Sequence, residues 1–246
     1  MRKRAVARSG AVSALLLVAV AGCAAVPGGS MGSTAAPTFA PPAAVVEAAV
    51  TPTEFHLQAD AAWLASIGSA TGIPERALQA YASAALVSGR EDPECAIGWN
   101  TLAGIGWVES RHGVIFDGTI EADGTALPHI FGVSLDGDGV ALIPDSDGGE
   151  IDGDASVDRA VGPMQFIPGT WRSWRVDAGG DGDEDPHNID DASLAAAHYL
   201  CRAGGDLATE DGWRAGVLAY NRSESYAADV ARAAVGYADD AASAAD

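Results

Sequence analysis

Leu102-Ala103-Gly104-Ile105-Gly106-Trp107-Val108-Glu109-Ser110-Arg111-His112-Gly113 carries apolar residues at helical spacing with one carboxylate among them. Leu102, Ile105 and Glu109 stand at i, i+3 and i+7, one face of a 3.6-residue helix, and Gly113 marks its end. A glutamate on the apolar stripe loses hydration, and near a helix C-terminus it meets the negative end of the dipole. Both effects raise its pKa, which is what a general acid working near neutral pH requires. A structural glutamate paired with neighbouring Arg111 would fit the same stretch, so locally both readings stand.

Outward from this helix the patterning is mostly helical. Upstream, order is expected from about Glu54. Pro74-Glu75 reads as a helix start, with Leu78, Tyr81 and Leu86 at helical spacing. Pro93-Glu94 reads as the start of the helix that ends at Ser110. Downstream, residues 114–161 turn rich in Gly and Asp, with short apolar pieces at 130–133 and 140–143, and predict hairpins or an ordered loop. Helical signals resume at Pro168, run from Asp191 to Arg202 before Gly204-Gly205, and recur over 213–220 and 225–237. The fold class expected is mainly α, with a small hairpin and loop insertion at about 114–161.

The chain ends look different. Arg2, Lys3 and Arg4 precede an apolar run over 11–21 that is short for a membrane span but suits a signal peptide over 1–22. It closes on Val20-Ala21-Gly22-Cys23, similar to a bacterial lipobox. Cys23 would then be the lipid anchor, although an ordinary cleavage site containing Cys reads the same. Residues 23–52, rich in Ala, Pro, Gly and Ser, suggest a disordered tether. The domain is expected over 53–238, with a disordered tail over 239–246.

Of the 246 residues 48% are hydrophobic, enough for a core, and much of that is alanine, which implies small side chains at helix contacts. Net charge is −20, and four of the cations lie in the first 22 residues, so the remainder carries −24. Phosphate backbones would repel such a body, so nucleic acid is excluded as a partner. Past Cys23 only Cys95 and Cys201 remain. In an oxidising compartment they suit a disulfide joining the start of the Glu109 helix to the Tyr199 helix. Two buried thiols that never meet is the alternative.

Four blocks carry a family resemblance. Residues 105–113 resemble the helix end bearing the catalytic glutamate in lytic transglycosylases with a lysozyme-like fold. Gly162-Pro163-Met164-Gln165-Phe166-Ile167-Pro168 resembles their second motif. Asp185-Pro186-His187-Asn188-Ile189-Asp190-Asp191-Ala192 is similar to the third, and Tyr220-Asn221-Arg222-Ser223-Glu224-Ser225-Tyr226 to the fourth. The resemblance spans roughly 55–237 and is nearest the membrane-bound lytic transglycosylase B type. Gly169 departs from the Ser more usual there.

The resemblance implies an exported peptidoglycan lyase that cuts between N-acetylmuramic acid and N-acetylglucosamine to leave 1,6-anhydro ends, with Glu109 as acid and then base. It implies substrate contacts from Met164, Gln165, Tyr199, Tyr220, Asn221 and Tyr226, with Tyr220 and Tyr226 orienting Glu109 or the sugar. Expected partners are glycan strands and, through Cys23, the outer face of the cytoplasmic membrane; the chain is expected to be a monomer and to need no cofactor. A hydrolytic muramidase and a non-catalytic wall-binding lipoprotein are the competing functions. Asp181, Asp183 and Asp185 occupy positions 1, 3 and 5 of an EF-hand-like loop, but position 12 is Ala192, so calcium there lacks its bidentate ligand. The acidic run over 136–158 reads either as a solvated loop or as a cation site.

Overall fold

The computed structural model describes residues 36–48 and 58–244. The expected signal peptide, Cys23 and the rest of the tether lie outside the described residues. The architecture is mainly α and lysozyme-like: α1 (Ala61–Thr71), α2 (Glu75–Glu91), α3 (Trp99–Ser110), α4 (Pro168–Trp174), α5 (Ile189–Gly204), α6 (Glu210–Tyr220) and α7 (Glu224–Ala244). Two antiparallel hairpins fill the insertion. β1 (Thr119–Ile120) pairs with β2 (Ala126–Leu127), and β3 (Phe131–Ser134) with β4 (Arg159–Val161).

α3 is the central helix. Residues 99–106 are all buried, so it packs on every side, chiefly on α7 and α2. Its glycines set those distances. A Cβ on Gly104 would sit 2.9 Å from the Val230 carbonyl oxygen of α7, and one on Gly106 would overlap the Tyr81 hydroxyl of α2. Alanines complete the contacts, with Ala77, Ala103, Ala195, Ala231 and Ala234 fully covered. A buried indole is paired as its desolvation demands: Trp213 Nε1 donates to Thr101 Oγ1 at 3.0 Å.

Three expectations need correction. Residues 36–48 are not a free tether: Ala40 is 1% exposed, Phe39 meets Trp213 edge-on at 6.2 Å, and Glu47 bridges Ala59. The cause is the buried Asn100 amide, which donates to the Pro41 carbonyl and accepts from the Ala43 N–H, both at 2.9 Å. A Pro/Ala-rich segment has no periodicity to betray it, yet its backbone satisfies a buried side chain. Next, no helix starts at Pro93-Glu94. Ala96 has φ 51, outside helical space, so α3 begins only at Trp99. Finally, residues 239–244 continue α7, since alanine favours helix and Ala241 packs on the core.

Cys95 therefore lies in the α2–α3 connection, bonded to Cys201 of α5 with Cα atoms 5.3 Å apart. α5 packs mainly on α2 and α6 and only lightly on α3.

Candidate active site

Glu109 is the penultimate residue of α3 and mostly buried. Tyr226, in the first turn of α7, donates to its Oε1 at 2.6 Å. Burial pushes the Glu109 carboxyl up from 4.5 to about 7, and the Tyr226 bond offsets part of that rise. No second carboxylate contributes to the shift among the described residues. Arg111, the structural partner considered from sequence, instead stacks over Trp107 at 4.0 Å.

The turn after Glu109 is tightly specified. The His112 N–H donates to the Gly106 carbonyl at 2.9 Å and the Arg111 N–H to that of Trp107 at 3.1 Å, nested bonds that close the end of the helix. Glycine usually supplies the left-handed residue of such a cap, yet Arg111 and His112 hold φ 55 and 63, each costing roughly 1–2 kcal/mol. Gly113 follows at φ 80, where a Cβ would overlap Ile120. Ser110 Oγ then donates to the Pro163 carbonyl at 2.6 Å and accepts from the Gly113 N–H at 2.8 Å. That single hydroxyl joins the Glu109 helix to the Gly162–Gln165 turn.

The Gly162–Gln165 turn is equally constrained. A Cβ on Gly162 would overlap the Pro186 carbonyl, so the second and third sequence blocks meet there. Gln165 is itself left-handed, φ 52. Its Nε2 donates to the Gly162 carbonyl at 2.8 Å, and its Oε1 lies 2.9 Å from where Gly132 of β3 would carry a Cβ. Met164 is fully buried; its carbonyl accepts from the Tyr220 hydroxyl at 2.8 Å. Tyr199 donates to the Ala219 carbonyl at 2.8 Å and packs edge-on with Tyr220 at 5.7 Å. Tyr220 packs likewise on Phe166, also at 5.7 Å, and Phe166 on Trp171. Phe166 and Trp171 are core, at 3% and 2% exposed. Gly169 is explained by Ser146 Oγ, 3.1 Å from a hypothetical Cβ.

Asn221 points to a capping role. Its Oδ1 accepts from the Ser223 N–H at 3.2 Å, and Ser223 Oγ accepts from the Tyr226 N–H at 3.3 Å. Together they shape the entry into α7 that carries Tyr226 to Glu109. The structure thus gathers Glu109, Tyr226 and Tyr220, the two phenols held neutral by burial and by the nearby carboxyl, and leaves Asn221 exposed beside them. Tyr81, Ser110, His112 and Tyr237, which sequence reading passed over, form a layer behind.

The acidic segments organise themselves. Asp145 accepts N–H groups from residues 147–149, and Asp158, fully buried, accepts from the Ser146 N–H and Oγ at 2.8 and 2.7 Å. Carboxylates here serve as loop-internal acceptors, and the 136–158 run is a largely exposed loop ordered by its own hydrogen bonds. Asp145, Asp147 and Asp158 bring ligand atoms within 4.8 Å of one another, the one such grouping among the described residues. Asp181, Asp183 and Asp185 make no such grouping. The Asp177 carboxylate accepts the loop's N–H groups from Gly180 and Gly182, and buried Asp191 accepts those of Ala178 and Asp185.

The fold is helical and lysozyme-like, with a carboxyl that keeps its proton near neutrality at the end of α3. Residues 146–217 match the family model of the transglycosylase SLT domain, which implies lytic transglycosylase activity on peptidoglycan in general. The match takes in Met164, Gln165 and Tyr199 and begins beyond Glu109. No curated protein and no solved structure matches the chain.

Proposed function

We propose that this protein is a peptidoglycan lytic transglycosylase of the membrane-bound B type, with Glu109 as its only acid–base group. The carrying observation is a mostly buried carboxyl at the end of α3, pushed up to about 7 and held on one oxygen by the Tyr226 hydroxyl. Hydrolases that use two carboxyls place them about 5–9.5 Å apart; one group suffices when the substrate supplies its own nucleophile. Glu109 donates its proton to the oxygen linking N-acetylmuramic acid to N-acetylglucosamine as the bond to muramoyl C1 breaks. The resulting carboxylate takes the proton from the C6 hydroxyl of the same muramoyl residue, whose oxygen closes on C1. The products are a 1,6-anhydro end and a free hydroxyl on the leaving sugar, and Glu109 is protonated again.

Tyr226 holds Oε1, which leaves Oε2 to face the sugar. Gln165 and Tyr199 are assigned to substrate contact, and Tyr220 and Met164 to the wall behind it. The scheme needs no cofactor. Among the described residues no helix is long and apolar enough to cross a membrane; acylated Cys23 is the proposed anchor outside the cytoplasmic membrane. Digestion of purified peptidoglycan followed by mass spectrometry tests the reading. Anhydro-muropeptides are expected, and products with reducing ends would refute it.

A further inference from the structure

The buried end of α3 carries a chain of hydrogen bonds that the chemistry above does not use. His112 is 3% exposed, and both ring nitrogens are engaged. Nδ1 faces the Tyr81 hydroxyl at 3.3 Å and Nε2 the Tyr237 hydroxyl at 2.9 Å. Burial holds the ring neutral, so one nitrogen accepts from a phenol and the other donates to its counterpart. Tyr81 comes from α2, where it fills the space that Gly106 leaves open. Tyr237 comes from α7, eleven residues after Tyr226. At 3.6 residues per turn that is about three turns, so α7 presents both phenols on one face.

We propose that Tyr81, His112 and Tyr237 are positioning residues, a buried chain that pins the left-handed end of α3 and so holds the Glu109 carboxyl dry against Tyr226. Left-handed Arg111 and His112 persist only where their surroundings over-determine them, and here the side chain of His112 is tied to two other helices. Glu109 lies three residues earlier, on the last turn that this cap closes. Release of the cap frees that turn and admits water to the carboxyl, whose raised pKa comes first from desolvation. The ionisable groups facing the network are Arg111 beside His112 and Asp240 beside Tyr237; those facing Glu109 are Tyr220 and Tyr226.

The test uses Tyr237→Phe, Tyr81→Phe and His112→Asn in the full-length protein. Asparagine tolerates left-handed backbone but cannot span both phenols. The Glu109 carboxyl is titrated by carbon NMR, which needs no substrate. In the variants its midpoint should fall from about 7 towards 4.5. On peptidoglycan the alkaline limb of the rate should move down with it, and kcat should fall with little change in KM. Variants that melt earlier yet keep the wild-type midpoint and limb would overturn the proposal, since a merely structural role moves only the melting temperature. If His112→Asn does not fold, the two phenylalanine variants decide. The kinetic arm rests on the lyase reading: inactive wild type would sink that reading, while the NMR midpoint would still decide this one.

Discussion

Glu109→Gln separates what the carboxyl contributes to chemistry from what it costs the fold. The carboxyl titrates at about 7 in the folded chain against an ordinary 4.5, so the native state holds its proton more tightly than the unfolded state. Stability from this group is therefore fully present below pH 4.5 and is lost as pH rises through 7. At 1.36 kcal/mol per pKa unit the loss is about 3 kcal/mol, a large share of the 5–15 kcal/mol typical of a domain. Glutamine keeps the shape and never ionises. Urea unfolding at pH 4.5 and pH 8 should show wild type and variant nearly equal at the lower pH, with the variant ahead by about 2–3 kcal/mol at the higher. Asp191, raised to about 6, and His187, lowered to about 4, titrate in both proteins and cancel in the difference. The same variant should lose at least the roughly 10²–10⁴-fold of general acid–base help in lytic rate. A stability gap independent of pH would refute the burial argument, and wild-type lysis would refute the role.

Tyr226→Phe removes the donor that lowers Glu109, so the alkaline limb of the rate should move up in pH; a downward move would contradict the hydrogen bond. Opening the Cys95–Cys201 bridge frees a loop of 106 residues, for which chain entropy gives about 4.7 kcal/mol as an upper figure. Reductant should lower the melting temperature, and two titratable thiols from these positions in the denatured, unreduced chain would rule the bridge out. Cys23→Ser should shift the protein from the membrane to the soluble fraction with lysis of isolated walls intact; unchanged membrane association would refute the anchor.

Much of the architecture was legible because helix formation is local. The 3.6-residue spacing, Pro74 ahead of α2, Gly205 after α5 and the Gly/Asp-rich insertion each announce themselves within a few residues. The site was legible in outline for a different reason, since four short blocks resemble those of one family. What they do to one another was not. That Asn221 and Ser223 cap α7 while Tyr226 reaches Glu109 depends on contacts between residues 117 apart.

From sequence alone came a helix ending on a glutamate, an Asp-rich insertion and a body too acidic for nucleic acid, all consequences of local periodicity and summed charge. Only the tertiary structure decided that Glu109 keeps its proton near neutrality, because desolvation depends on which distant side chains exclude water. Only it ran α7 on to Ala244 and seated residues 36–48 on α3, because a buried Asn100 takes whichever backbone partner folding brings to it. Left-handed backbone at Arg111 and His112 belongs with these, since nothing local favours it and two phenols from other helices hold it in place.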